Sequence, residues 1–377
     1  MKTRLLLFAL IFSSYIISFA QIVEKSDFEQ FSDGLNFTKT SWETAGFTLP
    51  WVNGFDSNRG SITNSFSVSG SKSLRLFYPK DNFGPSNTGG QAPLILPPLD
   101  EYYSSYSVRF SDNFSWGKTS EGGKLPGLSG GERCSGCQKC TGSNGFSARL
   151  MWRTGGKAVI YLYHLNKANP ECGDNFEIMV DGRNLLFQKG VWYKISQRVK
   201  VNSGNNKDGE VEIWINNKKA KLKLLNGTLV DKLTGIQFVS NGDKVNSFYF
   251  STFHGGNDAS WAPTVDCFAW FDDVIISTKL SDVIQLSISS IETEKEESKD
   301  SKTEIYPNPL KQGEDALISG ISENSVIEWT DMLGNVVAKS LAYQIGKTKT
   351  PSLISGAYFL RYTEENSIII KKVFVDQ

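Results

Sequence analysis

The stretch Phe146-Ser147-Ala148-Arg149-Leu150-Met151-Trp152-Arg153, then Thr154-Gly155-Gly156, then Lys157-Ala158-Val159-Ile160-Tyr161-Leu162-Tyr163 reads as two strands joined by a tight turn. Successive side chains of a strand point to opposite faces. Phe146, Ala148, Leu150 and Trp152 therefore share one face, which is core. Ser147, Arg149, Met151 and Arg153 share the other, which carries a hydroxyl and two guanidinium groups and suits solvent or an anion-binding groove. In the second strand Val159, Tyr161, Tyr163 and Leu165 fall on one side. Register decides which of these meet. A three-residue loop of Thr154, Gly155 and Gly156, with glycine in the left-handed position, sets Arg153 opposite Lys157, Arg149 opposite Tyr161 and Ser147 opposite Tyr163. A two-residue Gly-Gly loop would pair Arg149 with Leu162 and turn the tyrosines toward the Trp152 face. The three-residue register is the expectation.

Outward from this hairpin, short apolar and aromatic runs alternate with Gly, Asn, Asp and Ser from Ile22 to about Ser277, without a sustained helical period. Further strands are expected at 105–110, 191–201, 210–216, 235–240, 247–253 and 268–277. The composition, 12% aromatic with 34 Gly and 24 Phe, fits a sheet-rich chain. So many strands in one domain imply an all-β fold of two packed sheets, a sandwich or jelly roll. Gly190-Val191-Trp192-Tyr193, a Gly/Asn turn and Glu210-Val211-Glu212-Ile213-Trp214-Ile215-Asn216 resemble the paired strands of concanavalin-like jelly rolls. Gly122-Gly123-Lys124-Leu125-Pro126-Gly127-Leu128 reads as a Gly- and Pro-rich loop holding one lysine.

At the start of the chain Lys2 and Arg4 precede an apolar run from Leu5 to Phe19, and Ser18-Phe19-Ala20 supplies small residues for cleavage. Residues 1–20 are thus expected to be a signal peptide. No later run approaches the ~20 apolar residues of a membrane span, so a secreted or surface-displayed protein without a span is expected. The first domain is placed at 21–280. Residues 281–303 form a charged linker, because Glu292 to Lys302 has no aromatic side chain to bury. Short strands return in 304–377, at 325–330, 336–339, 356–362 and 367–375, as a small β-sandwich.

Net charge is zero, so no global field recruits nucleic acid, and attraction for a polyanion has to be local. Between Trp116 and Lys157 seven basic residues stand against two acidic ones. Five cysteines remain after export: Cys134, Cys137, Cys140, Cys172 and Cys267. Disulfides are the default in an oxidising compartment, and one thiol is left over. A zinc site would need a fourth ligand, and neither His164 nor His254 stands at a finger-like spacing. No metal or cofactor is expected.

Arginine, lysine and two tyrosines without a nearby carboxylate pair suit one reaction on uronic-acid polymers. Elimination across the glycosidic bond requires the uronate carboxylate to be neutralised, the proton on carbon 5 removed and the leaving oxygen protonated. Arginine binds carboxylate bidentately, and the developing charge spreads into that carboxylate. A tyrosine whose pKa is lowered by a cation can act as base, and a neutral one as acid.

The run Gly122 to Leu128, the strand Phe146 to Arg153, Tyr161-x-Tyr163 and Phe250-Ser251-Thr252-Phe253-His254-Gly255-Gly256 with Trp261 together resemble polysaccharide lyase family 14, over roughly Tyr102 to Ser277. The resemblance implies a β-jelly-roll fold and activity on alginate or glucuronan. It carries Lys124, Ser147, Arg149, Tyr161 and Tyr163 into the active site. Tyr161 and Tyr163 are the expected proton-transfer groups, Lys124 and Arg149 neutralise the carboxylate, and Ser147 positions. Arg153, His254 and Trp261 are expected to bind substrate, and His164 to pack away from the tyrosines. His254 stands where the family leads one to expect another aromatic, and the triple-cysteine insert lies beside the catalytic loop. In the tail, Tyr306-Pro307-Asn308-Pro309, Asp331-Met332-Leu333-Gly334, Ser355-Gly356-Ala357-Tyr358 and Lys371-Lys372-Val373 resemble a type A C-terminal sorting domain of the type IX secretion system. That implies export by this machinery in a Bacteroidetes-like cell, and the partners expected of the chain, a monomer, are this machinery and an acidic polysaccharide.

Two rival classes remain. A glycoside hydrolase needs two carboxyl groups about 5–10 Å apart, and Glu210-x-Glu212 and Asp272-Asp273 are the available pairs. A non-catalytic carbohydrate-binding or adhesin domain would use aromatics and arginine in a groove equally well.

Overall fold

The computed structural model describes residues 23–169, 171–284, 305–319, 321–323, 325–331, 336–364 and 367–376. The expected signal peptide, the charged run 292–302 and Met332-Leu333-Gly334 of the tail lie outside the described residues. The chain divides into two compact units, Met1–Leu286 and Ser287–Gln377.

In chain order the strands of the first unit begin with β1 (Val23–Ser26), β2 (Gly60–Thr63), β3 (Ser73–Tyr78), β4 (Gly90–Leu99), β5 (Glu101–Phe110), β6 (Gly122–Gly130), β7 (Phe146–Arg153), β8 (Lys157–Tyr163) and β9 (Asp174–Val180). They continue with β10 (Arg183–Asn184), β11 (Trp192–Lys200), β12 (Gly209–Ile215), β13 (Lys218–Lys219), β14 (Lys221–Lys223), β15 (Leu229–Val230), β16 (Leu233–Ile236), β17 (Val245–His254) and β18 (Cys267–Ser277). One sheet runs β13-β12-β11-β5-β18-β3-β2, with β1 beside β18 and β16 beside β12. The other runs β15-β14-β9-β8-β7-β6-β17-β4, with β10 beside β9. The long strands pair antiparallel.

The two sheets share one core. Phe146, Ala148, Leu150 and Trp152 of β7 are buried in it together with Val108 and Phe110 of β5 and Phe271 of β18. Polar groups caught between the sheets are paired, as burial requires: Gln197 of β11 accepts the Leu128 N–H at 2.9 Å and donates to the Ala148 carbonyl at 2.7 Å. The architecture is the expected jelly-roll sandwich.

Three local differences have physical causes. The glycine-rich segment around Lys124 is not a loop but strand β6, hydrogen-bonded between β7 and β17. Its glycines serve close packing. A Cβ on Gly123 would overlap the Trp152 ring, and one on Gly127 the Ala148 carbonyl. Strand β4 contains Pro93, Pro97 and Pro98, which mask it in the sequence and are tolerated because it lies at a sheet edge. The strand expected at 235–240 is β16, ending at Ile236. Beyond it the Asn202 side chain, not a neighbouring strand, accepts the N–H groups of Phe238 and Val239 at 2.8 and 3.1 Å.

Packing of the first unit continues past residue 280 through the short helix α1 (Leu280–Val283), where Val283 and Ile284 bury against Trp214. Among the described residues the second unit forms its own eight-stranded sheet about a core that includes Leu310, Ile327, Trp329, Leu360 and Val373. Its strands Val326–Thr330, Val336–Gln344, Gly356–Glu364 and Ser367–Asp376 cover the segments expected there.

Candidate active site

The β7–β8 hairpin has the three-residue register: Arg153 lies opposite Lys157, Arg149 opposite Tyr161 and Ser147 opposite Tyr163. Gly155 and Gly156 both take left-handed backbone angles, φ 65° and 81°, which let the turn close. Arg149, Met151, Tyr161 and Tyr163 consequently face the same way, away from the sandwich core.

They line a cleft of about 860 Å³ together with Lys124, Phe253 and Trp261. Arg149 is only 2% exposed, yet no carboxylate pairs with it among the described residues. Its Nη1 donates to Ser251 Oγ at 3.0 Å, its guanidinium lies 5.0 Å from the Tyr249 ring centre, and its Nε has no partner. Ser251 and Tyr249 are themselves fixed by Gln91, whose Nε2 is 2.9 Å from both side-chain oxygens. A buried, unneutralised guanidinium beside open space is a site for an anion.

Lys124 Nζ lies 3.9 Å from the centre of the Tyr161 ring and 2.9 Å from Met151 Sδ. Burial, reinforced by the charges of Arg149 and Arg153, holds its amine well below the ordinary lysine range. The hydroxyls of Tyr161 and Tyr163 are 3.2 Å apart. Burial, and then the hydrogen bond to Tyr161, pushes the Tyr163 phenol above its usual value, and the Cys137 N–H and Arg149 only partly oppose this. For Tyr163 this reverses the expectation of a pKa lowered by a nearby cation. Arg153 reaches the cleft with Nε and Nη2 on Asn175 Oδ1, at 3.1 and 2.6 Å. Trp261 lies in the turn Ala259–Trp261, whose start is capped by Asp258 accepting the Ser260 N–H at 2.8 Å.

Two expected site residues lie elsewhere. His254 is a correction: alternation along β17 turns Tyr249, Ser251 and Phe253 to the cleft, and Phe250, Thr252 and His254 to the core. There His254 is fully buried among the Tyr78, Phe114 and Trp152 rings, with Nε2 2.7 Å from the Ser115 carbonyl. Burial pushes its pKa down to about 4, so it is a neutral packing residue. Ser147 shares the face of Arg149 but is covered, donating to the Cys134 carbonyl at 2.9 Å. It holds the cysteine loop and does not line the cleft. His164 packs away from the tyrosines as expected, 3.1 Å from Asp174.

The cysteines form two disulfides, Cys134–Cys140 and Cys137–Cys172, with Cys267 free and buried. Cys137 and Cys172 line the cleft. The carboxylates considered for hydrolysis are remote from it. Glu210 and Glu212 bind Arg198 in the opposite sheet, and the buried Asp272 accepts the Val68 N–H at 2.8 Å. Glu171 is the one carboxylate lining the cleft among the described residues. Tyr249 and Ser251 could have been found from the alternation of 247–253. Gln91 could not, because its proline-rich strand did not read as one.

Residues 67–274 match the family model described as Polysaccharide lyase 14, and residues 304–376 one described as Secretion system C-terminal sorting domain. No curated protein matches the chain. Among solved structures, the PL-14 alginate lyase from Aplysia kurodai is 26% identical, with 65% of this chain and 96% of that one covered and a TM-score of 0.51. Alginate lyase Aly36B is 24% identical over 68% of this chain and 97% of that one, with a TM-score of 0.54. A double mutant of Aly36B in complex with an alginate tetrasaccharide is similar at 23% identity, over 67% of this chain and 96% of that one, with a TM-score of 0.53. The Aly36B likenesses concern the fold.

Proposed function

The chain belongs to polysaccharide lyase family 14, and on that premise we propose that its first unit cleaves a uronic-acid polymer by β-elimination, with alginate the leading substrate and glucuronan the next. The observation that carries this reading is Arg149, a buried guanidinium without a carboxylate partner among the described residues, facing a cleft that also holds Lys124, Tyr161 and Tyr163.

In this reading Arg149 takes the uronate carboxylate, and Arg153 extends the positive wall. With that charge neutralised, the proton on carbon 5 is acidic enough to leave, and the electron pair it leaves behind is stabilised in the carboxylate. Lys124 is the base. Its depressed pKa supplies a neutral amine at a pH where an ordinary lysine is charged. Tyr163, whose raised pKa keeps it protonated, gives its proton to the leaving oxygen. The C5–H and C4–O bonds break, a C4=C5 double bond forms, and Tyr161 orients Tyr163 through the contact between their hydroxyls. Lys124 thus moves from the charge-neutralising part expected of it to proton abstraction. Trp261 and Phe253 offer apolar faces to sugar rings. Among the described residues, hydrolysis lacks the second carboxylate in the cleft that it needs. The sorting tail fits export to the cell surface or beyond by the type IX machinery, with the expected signal peptide as the first step.

The test is incubation with alginate and with glucuronan, following the ultraviolet absorbance of the new double bond. A rise with either polymer is expected, larger with alginate. Binding of these polymers without any rise would overturn the reading in favour of an adhesin.

A further inference from the structure

The C-x-x-C-x-x-C insert is the one sequence motif that the reaction above leaves without a part. Its second cysteine is bonded to Cys172, joining two loops that are 35 residues apart in sequence. Each of these loops places a main-chain N–H on one of the two tyrosines: Cys137 N–H donates to Tyr163 Oη at 2.8 Å, and Gly173 N–H, next to Cys172, to Tyr161 Oη at 3.3 Å. We propose that the Cys137–Cys172 disulfide is a positioning element of the active site, clamping two backbone donors onto the hydroxyls of Tyr161 and Tyr163. The proposal rests on the lyase reading of the same cleft.

The surrounding structure is built for this. Cys137 has a left-handed backbone, φ 61°, uncommon for a residue with a side chain. Gly173 lies so close to both rings that a Cβ there would be 2.9 Å from Tyr163 and 3.0 Å from Tyr161. Both loops are anchored from below. Ser147 holds the Cys134 carbonyl, and the buried Asp174 carboxylate accepts the N–H groups of Ala168 and Asn169, each at 2.8 Å, while meeting His164. These anchors hold the start of one loop and the end of the other, and the disulfide ties Cys137, inside the first loop, to Cys172, two residues before β9, beside the tyrosines.

The chemical consequence follows from the direction of the bonds. A phenol oxygen that accepts an N–H has one lone pair occupied and its own hydrogen turned elsewhere, and any negative charge it develops is stabilised by that donor. When Tyr163 gives up its proton, the Cys137 N–H is already aimed at the oxygen that becomes charged. Without the bridge the donors are free to drift, and Tyr163 is the poorer acid.

The experiment uses the full chain carrying Cys134→Ser and Cys140→Ser, so that Cys137–Cys172 is the remaining bridge, with its own oxidised form as reference. Dithiothreitol opens the bridge, thiol titration verifies the opening, and reoxidation restores it in the same molecules. That reversibility, with circular dichroism at each stage, separates positioning from misfolding. On reduction, kcat is expected to fall by roughly tenfold or more, the scale of losing a donor to a developing charge, with KM changed by less than about threefold. The pH limb belonging to Tyr163 is expected to move to higher pH, and reoxidation to reverse both effects. Unchanged kcat and pH profile in the reduced protein, or a loss confined to KM, would overturn the proposal while leaving the lyase reading intact. If neither the natural chain nor the oxidised variant forms unsaturated ends on any polyuronate, the lyase reading fails and takes the proposal with it.

Discussion

Lys124 and Tyr163 are pushed in opposite directions by the same burial, because desolvation disfavours the charged form of each. As base, Lys124 must be neutral, so turnover should rise as pH climbs through its pKa, which lies well below 10.5. Lys124→Arg keeps the charge and removes the titration. We expect turnover to fall by about 10²-fold or more at every pH, and the rising limb to vanish, in initial rates of double-bond formation. Tyr163→Phe deletes the phenol oxygen alone. Its kcat should drop by roughly 10²–10⁴ with little change in KM. His254 makes a prediction about stability. Above about pH 6.5 it is neutral in both states, whereas between there and about 4 the unfolded chain binds a proton that the folded one does not. Stability therefore falls as pH drops through that window, by roughly 3 kcal/mol from this residue. His254→Phe should lack that loss. Its urea midpoint relative to the natural chain should improve steadily from neutral pH toward about 4.

Among the elements, the β7–β8 hairpin was fully legible, since its period-2 pattern and glycine turn fix register from local chemistry. The neighbouring β6 was not. Its glycines look like loop residues until β7 and β17 are seen to press on them, and that pressure comes from residues distant in sequence. Gly123→Ala tests the point. The added methyl would overlap Trp152 and lie 2.5 Å from the Phe253 carbonyl. The substitution should cost about 1–3 kcal/mol or more in denaturant unfolding, and should also lower turnover, because Lys124 is the next residue on the strand. The corresponding change at Gly155, where no atom lies within 4 Å of a Cβ, should act only through its left-handed backbone, φ 65°.

For the whole molecule, the first unit carries the entire cleft and its own core. A chain ending after Leu286 is expected to keep kcat and KM within about twofold, as an independently folded domain would, measured by the same absorbance assay. Its KM should rise with added salt, because the basic side chains of the cleft meet a polyanion through screened charges. Composition and alternation by themselves determined the all-β class and the face shared by Arg149 and Tyr161, because these rest on neighbours in sequence, while the sorting tail was legible only through the resemblance of its motifs to a known family. They could not determine that His254 faces inward, that Ser147 lies under the cysteine loop, or that Lys124 belongs to a buried strand. Those depend on which side of each sheet is covered. Nor could spacing alone pair Cys137 with Cys172 beside the tyrosines. Only the tertiary structure decided it, because a disulfide records where two loops come to rest, and that is set by the packing beneath them.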